Sequence, residues 1–270
     1  MNFPLQVQTT GEGPDLVMLH GWGMHSGVWQ TVAEALGKNF RVHCVDLPGH
    51  GRSHNDEALT TLDNWTERVA ETMQPRLTGP AYWCGWSLGG MVATQLAQDY
   101  PELVKQLILV ASSLRFCQAN DWPDAVAPDV LQGFADNLLD DHRQTLQRFL
   151  ALQVTGEPQA RQTLRELKQR VFEQDEPEAI ALQSGLNILA TADLRPLAGK
   201  LELPVLLVGG AKDRLVSPQS LGNVAALLPD ANVVIMPDCG HAPFISQPEN
   251  FVKLINKYCN HVDGERSKTR

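Results

Sequence analysis

Apolar residues along the chain fall into two rhythms. Short continuous runs stand at Leu16-Val17-Met18-Leu19 and Ala81-Tyr82-Trp83-Cys84, and further strand-like segments at Phe40 to Asp46, Val104 to Ala111, Leu203 to Gly209 and Ala231 to Met236. Runs of that length with no polar alternation predict strands buried on both faces, as in a parallel sheet. Between them, apolar residues at helical spacing predict helices over 28–36, 62–73, 91–99, near 220–228 and over 248–258. The strand–helix alternation predicts an α/β fold with helices on both faces of a mostly parallel sheet. Leu5 to Gln8, ended by Gly11-Glu12-Gly13-Pro14, predicts a hairpin edge.

From about Ser113 to Arg195 the alternation stops, and only helical segments separated by Pro and Gly are found. This predicts a helical cap, residues 113–195, inserted into a core made of residues 1–112 and 196–260. The polar residues 261–270 are expected to fray.

Composition narrows the function classes. Apolar residues make up 43% of 270, which suffices for a sizeable core. Lys and Arg number 22 against 31 Asp and Glu, and a net charge of −9 argues against non-specific nucleic-acid binding. No apolar run reaches the length of a membrane span, and Met1 to Gly13 lacks the basic start and apolar stretch of a signal peptide. Five scattered cysteines, odd in number and without a C-x-x-C pair, read as reduced thiols. A cytoplasmic monomer with no membrane or nucleic-acid partner is expected.

One stretch carries chemistry. Gly85-Trp86-Ser87-Leu88-Gly89 lies between a predicted strand and a predicted helix, the setting of a nucleophile elbow. Glycines at 85 and 89 let the strand and the incoming helix approach, and Ser87 is raised at a helix N-terminus. A serine needs a base, and the base needs an orienting group. His241 sits after the last strand, at the sheet edge that carries the elbow, and is the candidate base. His50 and His54 are weaker candidates there, and His43, inside a strand, reads as a packed core residue. The acid is expected between nucleophile and base in chain order, and Asp213 ends the strand that allows it. Asp238 reads as a turn residue and Asp46 as a loop-fixing one. Oxyanion donors are expected from the backbone N–H of Leu88 and of Trp22, the latter in His20-Gly21-Trp22-Gly23. No metal or organic cofactor is expected.

With these motifs and His241-Ala242-Pro243-Phe244 in hand, the chain resembles the α/β-hydrolase family from end to end. Trp86 inside the elbow and Arg148-Phe149-Leu150-Ala151-Leu152-Gln153 in the cap make it similar, more narrowly, to the bacterial pimeloyl-[acyl-carrier protein] methyl ester esterases of biotin synthesis. The resemblance implies hydrolysis of the methyl ester of a carrier-bound dicarboxylate, with acyl carrier protein as partner. It implies that Phe149, Leu150, Ala151, Leu152 and Gln153 line the acyl pocket, with Trp22, Ser87, Leu88 and His241 also touching substrate. It assigns carrier docking to Arg148, Arg161 and Arg165. The family's fourth position is Gln144 here, and Arg143, displaced by one residue and so by about 100° on a helix, is left open. Lys168 lies on the stripe of Arg161 and Arg165. The charges of 141–171 agree with a basic docking face: six basic residues stand against three acidic ones, in a chain that is acidic as a whole.

Two kinds of rival stay open at this point. A broad short-chain esterase or a C–C bond hydrolase would use the same three residues. A non-catalytic receptor on the same fold would not need the full set.

Overall fold

The computed structural model describes residues 4–54, 58–172 and 177–266. Among the described residues seven strands form one sheet: β1 (Val7–Thr10), β2 (Asp15–Leu19), β3 (Arg41–Val45), β4 (Ala81–Trp86), β5 (Val104–Val110), β6 (Val205–Gly210) and β7 (Ala231–Met236). Their order is β1-β3-β2-β4-β5-β6-β7. Every neighbouring pair is parallel except β1 with β3. Every residue of β2, β4 and β6 is buried, which is why their sequences are unbroken apolar runs. The chain leaves β2 for β3 on one side and returns to β4 on the other. The carboxyl ends of β2 and β4 therefore flank a topological switch point, where open α/β sheets bind ligands.

Helices α1 (Gln30–Leu36), α2 (Leu62–Met73) and α3 (Leu88–Asp99) alternate with the first five strands. Between β5 and β6 lie α4 (Pro128–Asp140), α5 (His142–Gln153), α6 (Ala160–Phe172), α7 (Ala179–Thr191) and α8 (Arg195–Ala198). The chain closes with α9 (Pro218–Ala225) between β6 and β7, then α10 (Pro243–Ser246) and α11 (Pro248–Arg266). Side-chain oxygens start several of these helices. Thr61 accepts from Asn64 N at 3.2 Å, Asp141 from Gln144 N at 2.8 Å and Ser217 from Ser220 N at 3.1 Å.

The segment between β5 and β6 is stapled at its root. Asp193 takes Arg115 from the outgoing chain at 2.8 Å and Arg195 from the returning chain at 2.6 Å. Leu194 N–H also donates to Leu114 O at 2.8 Å. The Arg195 guanidinium beside Asp193 holds its carboxyl down at about 2. Arg195 further stacks over Trp122, 5.3 Å from the ring centre.

Two expectations are corrected. β1 does not form a hairpin with β2; it runs antiparallel to β3, with Val7 opposite Val45. Both edges of β2 are occupied by the parallel strands β3 and β4, so the outer edge of β3 is the place left for the exposed β1. The last helix does not stop near Tyr258, and the frayed tail expected from 261 is helical as far as Arg266. No proline interrupts the sequence there, and the helix runs past its one glycine, Gly264. Residues 267–270 of that expected tail lie outside the described residues.

Candidate active site

Ser87 occupies the sharp turn between β4 and α3 with φ 55° and ψ −119°, a conformation that costs a non-glycine residue about 1–3 kcal/mol. The neighbours hold it there. Ser87 N–H donates to Val110 O at 2.9 Å, and Ser112 Oγ donates to Ser87 O at 2.7 Å. A Cβ on Gly85 would stand 2.4 Å from Gly89 O, and one on Gly89 would stand 2.5 Å from His20 O. The spacing G-x-S-x-G is thus a packing requirement here. Ser87 is 3% exposed, at the N-terminus of α3.

His241 and Asp213 meet. His241 Nδ1 donates to Asp213 Oδ2 at 2.8 Å, with both side chains essentially inaccessible. The second oxygen, Oδ1, accepts from the N–H groups of Leu215 and Val216 at 2.8 and 3.0 Å. A carboxylate fixed on three donors sets the imidazole tautomer, leaving Nε2 as the basic nitrogen. That Nε2 is buried and has no hydrogen-bond partner among the described residues. Trp86, next to the nucleophile, donates its indole N–H to His241 O at 2.7 Å, so the elbow carries part of the base loop.

The rejected candidates have other duties. Asp238 is exposed at φ 61°, in a left-handed turn. Asp46 accepts from Ser26 N at 2.6 Å and Arg52 N at 3.1 Å. His43 lies between Asp15 Oδ1 at 2.8 Å and Thr9 Oγ1 at 2.9 Å. His54 takes part in none of the site's hydrogen bonds. All five cysteines are buried and unpaired in disulfides, and burial pushes Cys44 and Cys239 up to about 12, which leaves those thiols inert.

The backbone N–H groups of Trp22 and Leu88 donate no hydrogen bond to any described residue. Two buried histidines shape the loop that carries Trp22. His20 Nδ1–H donates to Gly21 O at 2.8 Å while its Nε2 accepts from Leu47 N at 2.9 Å. His50 Nδ1–H donates to Pro48 O at 2.8 Å, and its Nε2 accepts a longer bond, 3.4 Å, from Gly23 N. Both must be neutral to accept, and burial lowers both pKa values to about 3. The Trp22 indole donates to Leu182 O at 2.8 Å, and its ring meets Phe149 edge-on at 4.9 Å.

On α5, Phe149, Leu150 and Gln153 are buried, whereas Ala151 is exposed and Leu152 half-buried. Helical geometry cannot aim five consecutive residues at one pocket, so the segment's inward face is narrower than expected. Arg148 is exposed and bonded to Gln144 Oε1 at 2.8 Å. Arg161 and Arg165 are exposed on α6 and line a surface cleft of about 550 Å³. Lys168 is half-buried on the same helix. Arg143 stacks over Phe172 at 5.0 Å and is not among the residues that line that cleft. No group of three or more His, Cys, Asp or Glu among the described residues is arranged to hold a metal.

Sequence reasoning missed the contacts that steady the base loop from α5. His241 N–H donates to Gln153 O at 2.8 Å, and Gly240 N–H donates to Glu157 Oε1 at 2.6 Å. Glu157 has no motif around it; the only signal was a glycine directly before the histidine.

Comparisons with known proteins identify the family and the fold. The family profile described as the alpha/beta hydrolase fold matches residues 14–248. The chain is 48% identical over 252 residues to the pimeloyl-[acyl-carrier protein] methyl ester esterase of Nitrosomonas europaea, covering 93% of this chain and 98% of that protein. It is 44% identical over 248 residues to the enzyme of the same name from Yersinia pseudotuberculosis, covering 92% and 94%. Among solved structures, an esterase from Exiguobacterium antarcticum superposes with a TM-score of 0.86 at 20% identity, over 94% of both chains. The enol-lactonase from Burkholderia xenovorans gives 0.83 at 23%, over 95% and 96%. At those identities the solved structures speak for the fold alone.

Proposed function

Because the chain belongs to the α/β-hydrolase fold family, and within it to the pimeloyl-[acyl-carrier protein] methyl ester esterases, we propose that it hydrolyses the methyl ester of pimeloyl-[acyl-carrier protein] to the carrier-bound acid and methanol. The observation that carries this reading is 48% identity over almost the whole of a relative bearing that name.

The chemistry follows from the side chains. Ser87 Oγ attacks the ester carbonyl as His241 Nε2 takes its proton, and Asp213 steadies the imidazolium that results. The oxyanion accepts hydrogen bonds from the N–H groups of Trp22 and Leu88, both without partners among the described residues. Collapse breaks the bond to the methoxy oxygen, which leaves as methanol with the proton held on His241. A water then attacks the Ser87 ester while His241 removes its proton. The second collapse returns that proton to Ser87 Oγ and releases the acid.

The helical segment 113–195 acts as a cap on the core of residues 1–112 and 196–260. Its inner face, Phe149, Leu150 and Gln153 together with Trp22, receives the acyl chain. Its outer face, Arg148, Arg161 and Arg165 with Lys168 beside them, docks the acidic carrier. Arg143 is engaged with Phe172 and contributes little to docking. The enzyme works as a cytoplasmic monomer, without nucleic acid or membrane as partner; among the described residues no helix is long and apolar enough to cross a membrane.

Incubation with the methyl ester of pimeloyl-carrier tests the reading by mass spectrometry. The carrier should lose one methylene equivalent in step with methanol release, and Ser87→Ala should leave it unchanged. A carrier that stays methylated, or conversion that survives Ser87→Ala, contradicts it.

A further inference from the structure

The base loop is gripped from α5 and the turn that follows it, at the two residues that fix the direction of His241. Gln153 O accepts from His241 N–H at 2.8 Å. Four residues on, Glu157 Oε1 accepts from Gly240 N–H at 2.6 Å and from Ser246 Oγ at 2.8 Å. Glu157 is 7% exposed, and its other oxygen, Oε2, is buried with no hydrogen-bond partner among the described residues. A buried acceptor left unpaired costs about 1–3 kcal/mol, so the carboxylate is a poor choice for stability alone. The fit is tight from the other side too. A Cβ on Gly240 would stand 2.3 Å from Gln153 O and 2.8 Å from Glu157 Oε1. A cleft of about 220 Å³ opens beside the clamp, lined by Glu157 and Ser246 themselves and by Gln159, Thr163, Asp238 and Gln247 among others.

We propose that Glu157 is a positioning residue for the reaction: its carboxylate holds the Gly240–Ser246 loop against the end of α5, so that the placement of His241 depends on where α5 sits. This rests on the reading of His241 as the base. The same helix carries Arg148 on its outer face and Phe149 on its inner face, so carrier docking and acyl-chain entry both act on the element that holds the base. A shift of about 1 Å in a catalytic group can cost up to about a hundredfold in rate, so a modest loosening is measurable.

The experiment compares Glu157→Ala, Glu157→Gln and Glu157→Asp on a small soluble ester, which needs no docking. Glu157→Ala should lower kcat about tenfold with KM unchanged, and should weaken the low-field proton resonance of His241 Nδ1–H. Glu157→Gln keeps an acceptor for both donors and should restore kcat to within about threefold of wild type. Glu157→Asp keeps the charge but withdraws the acceptor by one methylene. Should the alanine variant fail to fold, a severalfold loss of kcat in the aspartate variant supports the proposal. A kcat within twofold of wild type in the folded alanine or aspartate variant, even with a lowered Tm, overturns it. So does a glutamine variant as slow as the alanine one. If His241→Ala keeps its activity, the reading of the base has failed instead, and the two failures are told apart.

Discussion

Replacing Asp213 by Asn changes one oxygen to an amide nitrogen, and the hydrogen bonds around it fix the consequence. If the amide oxygen stays on the N–H groups of Leu215 and Val216, the new NH₂ faces His241 Nδ1. That nitrogen must then accept, the ring proton moves to Nε2, and Nε2 can no longer take a proton from Ser87. If the amide is flipped, its oxygen serves Nδ1–H but the NH₂ confronts two buried backbone donors. Leaving both unpaired costs about 1–3 kcal/mol each, so the unproductive orientation wins by about 2–6 kcal/mol. At 1.36 kcal/mol per factor of ten, kcat should fall by about 30-fold to 3 × 10⁴-fold. Loss of the negative charge that steadies the imidazolium pushes toward the upper end. Stability should barely change, because the backbone bonds survive. The assay is kcat on a small ester beside a thermal melt, with Asp238→Asn as the comparison. A kcat within tenfold of wild type in Asp213→Asn refutes the reasoning, and so does a large loss in Asp238→Asn.

Three further outcomes are expected. Ser87→Gly should abolish activity yet raise Tm by up to a few degrees, since relief of about 1–3 kcal/mol of backbone strain outweighs about 0.5–1 kcal/mol of glycine entropy; a clearly lower Tm would count against stored strain at the elbow. His20 and His50 bind protons near ~6.5 when unfolded but only near about 3 when folded, so stability is complete above the first value and falls as pH drops toward the second. The urea midpoint should therefore fall between pH 7 and 4.5, less so in His50→Gln, and an unchanged midpoint would contradict the neutral acceptors. Replacing Arg148, Arg161 and Arg165 together by Ala should raise KM for the carrier-bound ester by about 3- to 100-fold, three exposed contacts at roughly 0.2–1 kcal/mol each, with kcat nearly unchanged. Equal loss on a small ester would mean that these arginines hold the cap together.

Much of this was legible because the inner strands β2, β4 and β6 are buried on both faces. Strand-like runs announced six of the seven strands, and chain order at one sheet edge pointed to Ser87, Asp213 and His241. What stayed illegible depends on contacts between distant residues. The partner of β1 is decided by which strand edge is left uncovered, and no local pattern records that. The sequence left Arg143 open, and the Phe172 ring under its guanidinium, on the next helix, is a contact that no local pattern records. Ala151 belongs to the matched segment, but the helical period turns it outward and leaves Leu152 half-buried. Glu157 acts across 83 positions on a backbone N–H, and an acceptor for a backbone donor leaves no side-chain signature in its partner.

The central claim is that one site recognises both the methyl ester and the protein that carries it. The measurement that tests it most directly is kcat/KM for pimeloyl-carrier methyl ester against free dimethyl pimelate, at low and at raised salt. kcat/KM should favour the carrier-bound ester at low salt by at least about tenfold, and the preference should shrink as salt screens the exposed arginines. Equal kcat/KM for the two esters, with no dependence on salt, would contradict it and leave a general esterase on the same triad.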